Sequence, residues 1–394
     1  MTRVFLIVLD SLGVGALPDA ARFGDEGTHT LDHLVAAAGG SLAAPRLVEL
    51  GLGCVPGVTS LPCPTSAAGA FGRCVERSAG KDTSTGHWEM MGCILPDEFP
   101  TFPDGFPPEI LEPWIERCGL PGVLENKPAS GTEVLARLGA KHVATGKPIV
   151  YTSADSVFQV AAHEEAFGLE RLYAICAVAR EILVPYGVGR VIARPFVGKD
   201  GDYTRTYNRR DYSLVPPEET TLDRLSAAGV PVVGVGKIED IFAGRGVTES
   251  IHTEGNADGM RAVIAEAKSR DRGLVFCNLV DFDMVFGHRR DAVGYARALE
   301  EFDRVLPELE AELRGGDVVL LTADHGNDPT FTATTDHTRE YVPLLAFGPG
   351  VKGGVALGTR ASFADVGATL EELFELPAAK RGAVGRSFAD ELRA

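Results

Sequence analysis

The sequence predicts an α/β protein with a mainly parallel central sheet flanked by helices, interrupted by an inserted, smaller α/β domain. Three observations carry this. Apolar, β-branched runs of strand length recur in the first and last thirds of the 394-residue chain, several ending in Asp or Gly; stretches with helical spacing separate them; and two proline-rich marks bracket a middle segment with its own strands and helices. A continuous apolar run is how a strand of a parallel sheet reads, since helices cover both its faces and neither meets water.

The first strand is expected at residues 4–9, running into Asp10 and the glycine-containing stretch 11–15. Further strands are expected at 230–235, running into Gly236-Lys237, at 274–280, running into Asp281-Phe282-Asp283, and at 318–322, running into Ala323-Asp324-His325, with a fifth at 341–347. Helices are expected at 221–228, 258–268, 292–313 and 363–374. Alternation of this kind implies parallel strands joined by helical crossovers. The Pro-, Phe- and Asp-rich stretch 96–108 and Pro216-Pro217-Glu218-Glu219 are the two punctuation marks. Between them, helices are expected at 108–118, 131–138 and 169–184, and strands at 149–152, 157–161 and 189–196. We therefore expect a discontinuous core, 1–97 with 217–394, and a cap domain, 98–216, joined by linkers that can hinge.

Composition narrows the class of function. The formal net charge of −17 argues against a nucleic-acid binder or a protein that lies on anionic membranes. Apolar runs fall well short of the ~20 residues of a membrane span, and the amino terminus reads as a strand with no cleavable signal, so a cytoplasmic location is expected. Seven cysteines, with no Cys-x-x-Cys pair, are expected to be buried or incidental thiols in a reducing compartment.

Ligands of open α/β sheets bind outside the carboxyl ends of the strands, where Asp10, Asp283 and Asp324-His325 are placed. The stretch from Asp281 to His337 holds three histidines, His288, His325 and His337, each close to an Asp. Nitrogen and oxygen donors without cysteine suit divalent cations of the Mn/Mg/Zn class. A second focus is Gly80-Lys81-Asp82-Thr83-Ser84-Thr85-Gly86-His87-Trp88-Glu89. Small hydroxyl residues there read either as a helix cap or as a nucleophile at a helix amino terminus, where backbone N–H groups hold a phosphoryl group. Spacing leaves Thr83, Ser84 and Thr85 open.

Asp10-Ser11, residues 80–89, Asp283 through His288, 323–331 and 335–340 together resemble the alkaline phosphatase superfamily, and within it the dimetal phosphopentomutases, over essentially the whole chain in order. The resemblance implies an alkaline-phosphatase-like core and an isomerase acting by intramolecular phosphoryl transfer between ribose or deoxyribose 1-phosphate and 5-phosphate. It implies Thr83 as nucleophile, one metal held by Asp283, His288 and His337, and another by Asp10, Asp324, His325 and the Thr83 oxygen. Two divalent ions, Mn²⁺ being expected, and a bisphosphate primer such as glucose 1,6-bisphosphate go with it. Small pentose phosphates are the expected partners. Two divalent ions against three aspartates leave a locally positive centre on an acidic protein, and two metals can clamp both oxygens of an in-line displacement. The expected substrate contacts are Asp155 to sugar hydroxyls, His87 to the transferring phosphoryl group, and Arg194, Arg205 or Lys237 to the distal phosphate, with Arg209 and Arg210 as further candidates. A mutase must keep water from its intermediate, and the cap is the natural lid. The competing readings are a dimetal phosphatase or phosphodiesterase, a cofactor-independent phosphoglycerate mutase, and a metal-binding protein without catalysis.

Overall fold

The computed structural model describes residues 2–153, 156–199, 202–334, 336–379 and 384–393. Fourteen strands occur among them: β1 (Arg3–Leu9), β2 (Ala70–Cys74), β3 (Leu124–Pro128), β4 (Ile149–Thr152), β5 (Val157–His163), β6 (Arg190–Lys199), β7 (Asp202–Arg205), β8 (Arg210–Ser213), β9 (Val232–Val235), β10 (Glu249–Ile251), β11 (Gly273–Leu279), β12 (Val318–Thr322), β13 (Val342–Phe347) and β14 (Ala356–Arg360). The chain divides into two compact units, residues 1–97 with 216–394, and residues 98–215.

In the first unit the strands form one sheet in the order β10-β9-β11-β1-β12-β13-β2-β14. Its centre is the all-apolar run expected from the sequence, and every residue of β1, β11 and β12 is buried. The five strands from β10 to β12 run parallel. The fifth expected strand, β13, departs from the parallel pattern. It pairs antiparallel with both β12 and β2. The reason lies in the connection: the described residues of 323–341 contain no helix to carry the chain back across a face of the sheet, so the strand returns the other way.

Helices Thr30–Ala37, Pro45–Leu50 and Asn256–Ser269 pack with the long helix Ala292–Glu310, while Thr83–Met90, Thr221–Ala227 and Ala364–Leu373 form a second group. Register then brings the chemistry to one edge. Val8 pairs with Thr322 and Leu9 with Leu279, so Asp10 is level with Asp324, and Asp283 lies just beyond the end of β11. Because β13 runs antiparallel, the segment preceding it, which holds His337, Arg339 and Glu340, opens on that same edge, as does the chain leaving β2 toward Thr83.

The second unit has its own sheet, β3-β4-β5-β6-β7, with β8 also on β6. Helices Pro108–Arg117 and Leu169–Leu183 cover one face, around Trp114, Phe158, Val160 and Val191. Helix Gly131–Thr145 covers part of the other, around Ile149, Tyr151 and Phe196. Buried His142 ties this unit together: its Nδ1 donates to the Lys147 carbonyl at 2.7 Å and its Nε2 accepts from the His163 amide at 2.9 Å. Burial lowers its pKa, so the unfolded chain takes up a proton near pH 6.5 that the folded one refuses. Stability from this group is therefore complete above that pH and declines as pH falls. Amide exchange in β4 and β5 should quicken from pH 7.5 to 5.5, after correction for intrinsic rates, with a slope bounded by the one-proton limit of about 1.4 kcal/mol per pH unit. His142→Gln should flatten that slope.

The thiol expectation needs one correction. Cys54 and Cys63 form a disulfide. The nine-residue separation gave no signal in sequence, but the turn folds back until the two Cα atoms are 4.6 Å apart, within disulfide reach. The turn is close enough that a Cβ on Gly53 would fall 2.2 Å from the Pro62 carbonyl oxygen. Cys74, Cys118, Cys176 and Cys277 are outside that bond, and burial raises the thiol pKa of Cys74, Cys176 and Cys277.

Candidate active site

Helix Thr83–Met90 is capped by Asp82, whose carboxylate accepts from the Ser84 and Thr85 amides. The Thr85 hydroxyl also donates to Asp82, so it is tied into the cap. Thr83 is different. Its Oγ1 is outside the cap and lies 3.2 Å from His325 Nε2, at the first position of the helix. The helix sits hard against the metal-site loop, because a Cβ on Gly86 would fall 2.1 Å from the Asp324 carbonyl oxygen.

Two groups of ligand atoms lie within 4.8 Å of one another: Asp10, Asp324 and His325 in one, Asp283, His325 and His337 in the other. The groups share His325. His288 completes the second, with Nε2 at 3.1 Å from Asp283 Oδ2 and 3.2 Å from His337 Nε2. Three features fit divalent cations. Asp10 Oδ1 and Asp324 Oδ2 are buried with no hydrogen-bond partner among the described residues. His325 and His337 each turn Nδ1 to a backbone carbonyl, Gly326 and Lys81 at 3.1 Å, which leaves Nε2 for the cluster. Finally, the His288 and His337 Nε2 atoms face each other at hydrogen-bonding distance, and a cation between them serves both lone pairs.

The electrostatics agree. Burial, together with the Asp324 and Asp283 charges, holds the Asp10 carboxyl well above the usual carboxylate range. Burial opposes ionisation of Asp324 too, but the adjacent His325 and His87 outweigh it and bring the group to about 2. Burial works against a charge on His337, and Asp283 overcomes it, raising the imidazole to about 10. Protons here are doing what a metal does better.

A family model described as the metalloenzyme superfamily matches residues 2–378. A phosphopentomutase from Anaeromyxobacter sp. (strain Fw109-5) is 57% identical over 390 residues, covering 99% of this chain and 98% of the relative. One from Symbiobacterium thermophilum is 55% identical over 393 residues, covering 99% and 98%. The chain belongs to the phosphopentomutase family. Among solved structures, a Pyrococcus horikoshii protein has a TM-score of 0.49 at 16% identity, covering 95% of this chain and 98% of its own.

The other residues that the phosphopentomutase resemblance singled out fall in three places. Lys237 is in the first unit, exposed just past β9, and its charge reaches Asp10. Arg194 and Arg205 are in the second unit, on the sheet face that helix Gly131–Thr145 only partly covers. Arg194 Nε donates to Gln159 Oε1 at 3.0 Å, and burial, with help from Arg209, lowers the guanidinium to about 10. Arg205 Nη2 donates to the Tyr151 hydroxyl at 3.1 Å and lies where a Cβ on Gly131 would be, so a side chain there would displace the guanidinium from its present place. Arg209 is paired with Asp211, and Arg210 stacks on Tyr173 and Tyr212. Asp155 lies outside the described residues.

His87 requires a correction. It is fully buried, with Nδ1 at 2.8 Å from the Thr83 carbonyl oxygen and Nε2 at 3.4 Å from Asn278 Nδ2. Both of its ring nitrogens are engaged within the fold, which leaves none open for a phosphoryl group.

Sequence reasoning gave no role to the groups that hold the carboxylates. Asn278 Nδ2 donates to Asp10 Oδ2 at 3.0 Å, Asn327 Nδ2 to Asp283 Oδ1 at 2.7 Å, and the Ser11 amide to Asp324 Oδ1 at 3.1 Å. The buried Tyr295 hydroxyl donates to the Asp10 carbonyl at 2.9 Å. Asn327 sits in one of the stretches that carried the family resemblance, a signal that pointed to position but not to partner.

Proposed function

We propose that this protein interconverts ribose or 2-deoxyribose 1-phosphate and the corresponding 5-phosphate, with Thr83 as a phosphorylated nucleophile and pentose 1,5-bisphosphate as the intermediate. The observation that carries the reading is the Thr83 hydroxyl at a helix amino terminus, 3.2 Å from an imidazole shared by two clusters of metal-ligating side chains. Identity of 57% to a protein named phosphopentomutase supports it.

Asp283, His288 and His337 would hold one divalent ion, and Asp10, Asp324, His325 and Thr83 the other, with Mn²⁺ as the proposed metal. Such ions, when bound, lower the hydroxyl pKa and neutralise charge on the phosphoryl oxygens. The chain's own groups do the rest. Phosphothreonine 83 loses its P–O bond to Oγ1 as the 1- or 5-hydroxyl oxygen of the sugar bonds to phosphorus, and the hydroxyl proton ends on the departing Oγ1. The bisphosphate then turns, and the other phosphate passes to Oγ1. His87, held by Asn278, fixes the Thr83 carbonyl and with it the first turn of the helix. Arg194, Arg205 and Lys237 are proposed for the distal phosphate, Asp155 for the sugar hydroxyls, and residues 98–216 as the cap that keeps water out. A bisphosphate such as glucose 1,6-bisphosphate primes Thr83.

The test is conversion of ribose 1-phosphate to ribose 5-phosphate with added Mn²⁺ and primer. Full conversion without inorganic phosphate is expected. Phosphate appearing in step with substrate loss would replace this reading with the phosphatase one.

A further inference from the structure

We infer that Arg339 is a positioning residue: it locks the loop that presents Thr83 to the segment that carries the metal ligand His337. The inference rests on Thr83 being the nucleophile. Arg339 is 3% exposed, and every N–H of its guanidinium is used. Nη1 donates to Glu76 Oε2 at 2.8 Å and to the Gly80 carbonyl at 2.6 Å; Nη2 donates to the Glu76 carbonyl and to Asp19 Oδ2, both at 3.1 Å; Nε donates to Asp19 Oδ1 at 3.3 Å. Its own amide donates to Asp25 Oδ2, which also takes the Lys81 ammonium at 2.8 Å.

The arrangement is a clamp with two teeth. Residues 337 and 339 alternate along one short segment, and each grips a successive carbonyl of the nucleophile loop: His337 Nδ1 the carbonyl of Lys81, and Arg339 Nη1 that of Gly80. The grip on Lys81 also fixes the tautomer that leaves His337 Nε2 for the metal. One rigid piece therefore sets the distance between Thr83 Oγ1 and the cluster. A buried ion pair adds little net stability over an apolar core, so five donors spent here argue for geometry. Catalysis by proximity is sensitive at this scale, where a displacement of about 1 Å costs on the order of 10²-fold.

The experiment uses the full chain with Mn²⁺ and primer. A lysine cannot reach Glu76, Gly80 and Asp19 together, so Arg339→Lys should lower kcat by about 10²-fold while KM for ribose 1-phosphate stays within about twofold. Phosphorylation of Thr83 by the primer should slow in parallel. Guanidinium ion should restore part of the activity of Arg339→Ala, and sodium or ammonium at equal ionic strength should not. A folded Arg339→Lys with wild-type kcat, or a loss that tracks the unfolded fraction with no guanidinium recovery, overturns the inference. If the Arg339 variants do not fold, Glu76→Gln carries the test: kcat should fall about 5–10-fold at unchanged KM, and an unchanged kcat overturns it. An active Thr83→Ala protein would instead overturn the nucleophile reading, so the two failures are distinct.

Discussion

Thr83→Ala is expected to lower mutase turnover by about 10⁴-fold or more and to abolish acid-stable phosphate on the protein. The size follows from the covalent role, for which the neighbouring threonine is no substitute. Thr85 is bound to the Asp82 cap, and a water would hydrolyse the phosphoryl donor without regenerating the phosphoprotein. Folding should be spared. The Thr83 side chain is not the cap of its helix, and Asp82 keeps its bonds to Ser84 and Thr85 in the variant. The measurement is turnover of ribose 1-phosphate alongside mass spectrometry of the primed protein. Full activity in the variant would remove the mechanism.

Asp10→Asn should change stability and activity in opposite directions. In the metal-free protein, burial and the neighbouring Asp324 and Asp283 charges hold the Asp10 carboxyl above its unfolded pKa. The contribution of such a group is favourable at low pH and is lost as pH rises, so at pH 7, above the unfolded pKa, Asp10 is a cost. Asparagine keeps the shape and can still accept from Asn278. The metal-free variant should therefore melt higher than metal-free wild type, by about 2–4 °C for each kcal/mol relieved. With Mn²⁺ the order reverses: the metal-induced rise in Tm shrinks, and kcat drops on the order of 10³-fold. Thermal scans in EDTA and in Mn²⁺, with turnover, check both halves. A variant that melts lower without metal yet keeps the full Mn²⁺ shift would displace Asp10 from the site.

What the sequence could show, and what it could not, follows from where each signal comes from. The runs that became β1, β9, β11 and β12 were legible because burial on both faces removes all alternation, and the aspartates ending three of them inherited their placement. The strands β2, β3, β7, β8, β10 and β14 were not read, since short strands with polar or partly exposed positions carry little apolar pattern. The sense of β13 depends on what its connection lacks, and an apolar run looks the same in either direction. For the site, residue types and spacing pointed to a dimetal centre. Partnerships such as Asn278 with Asp10, or Arg339 with Gly80, span some 260 residues and exist only once the register is set. His87 shows the converse: a histidine in a catalytic segment drew a chemical role, while folding turned it inward.

Sheet order also sets a timetable for synthesis. β1, at the amino terminus, waits for both of its neighbours, β11 and β12, which leave the ribosome some 270 residues or more later. At ~5–20 residues per second that is roughly 15–50 s during which a strand apolar at every position after Arg3 has no partner. The unit 98–215, whose two hydrophobic clusters draw only on residues within it, is complete long before. The nascent protein thus carries a finished domain between an orphan strand and an unfinished sheet, and its yield in a cell will depend on what shields residues 4–9 during that interval.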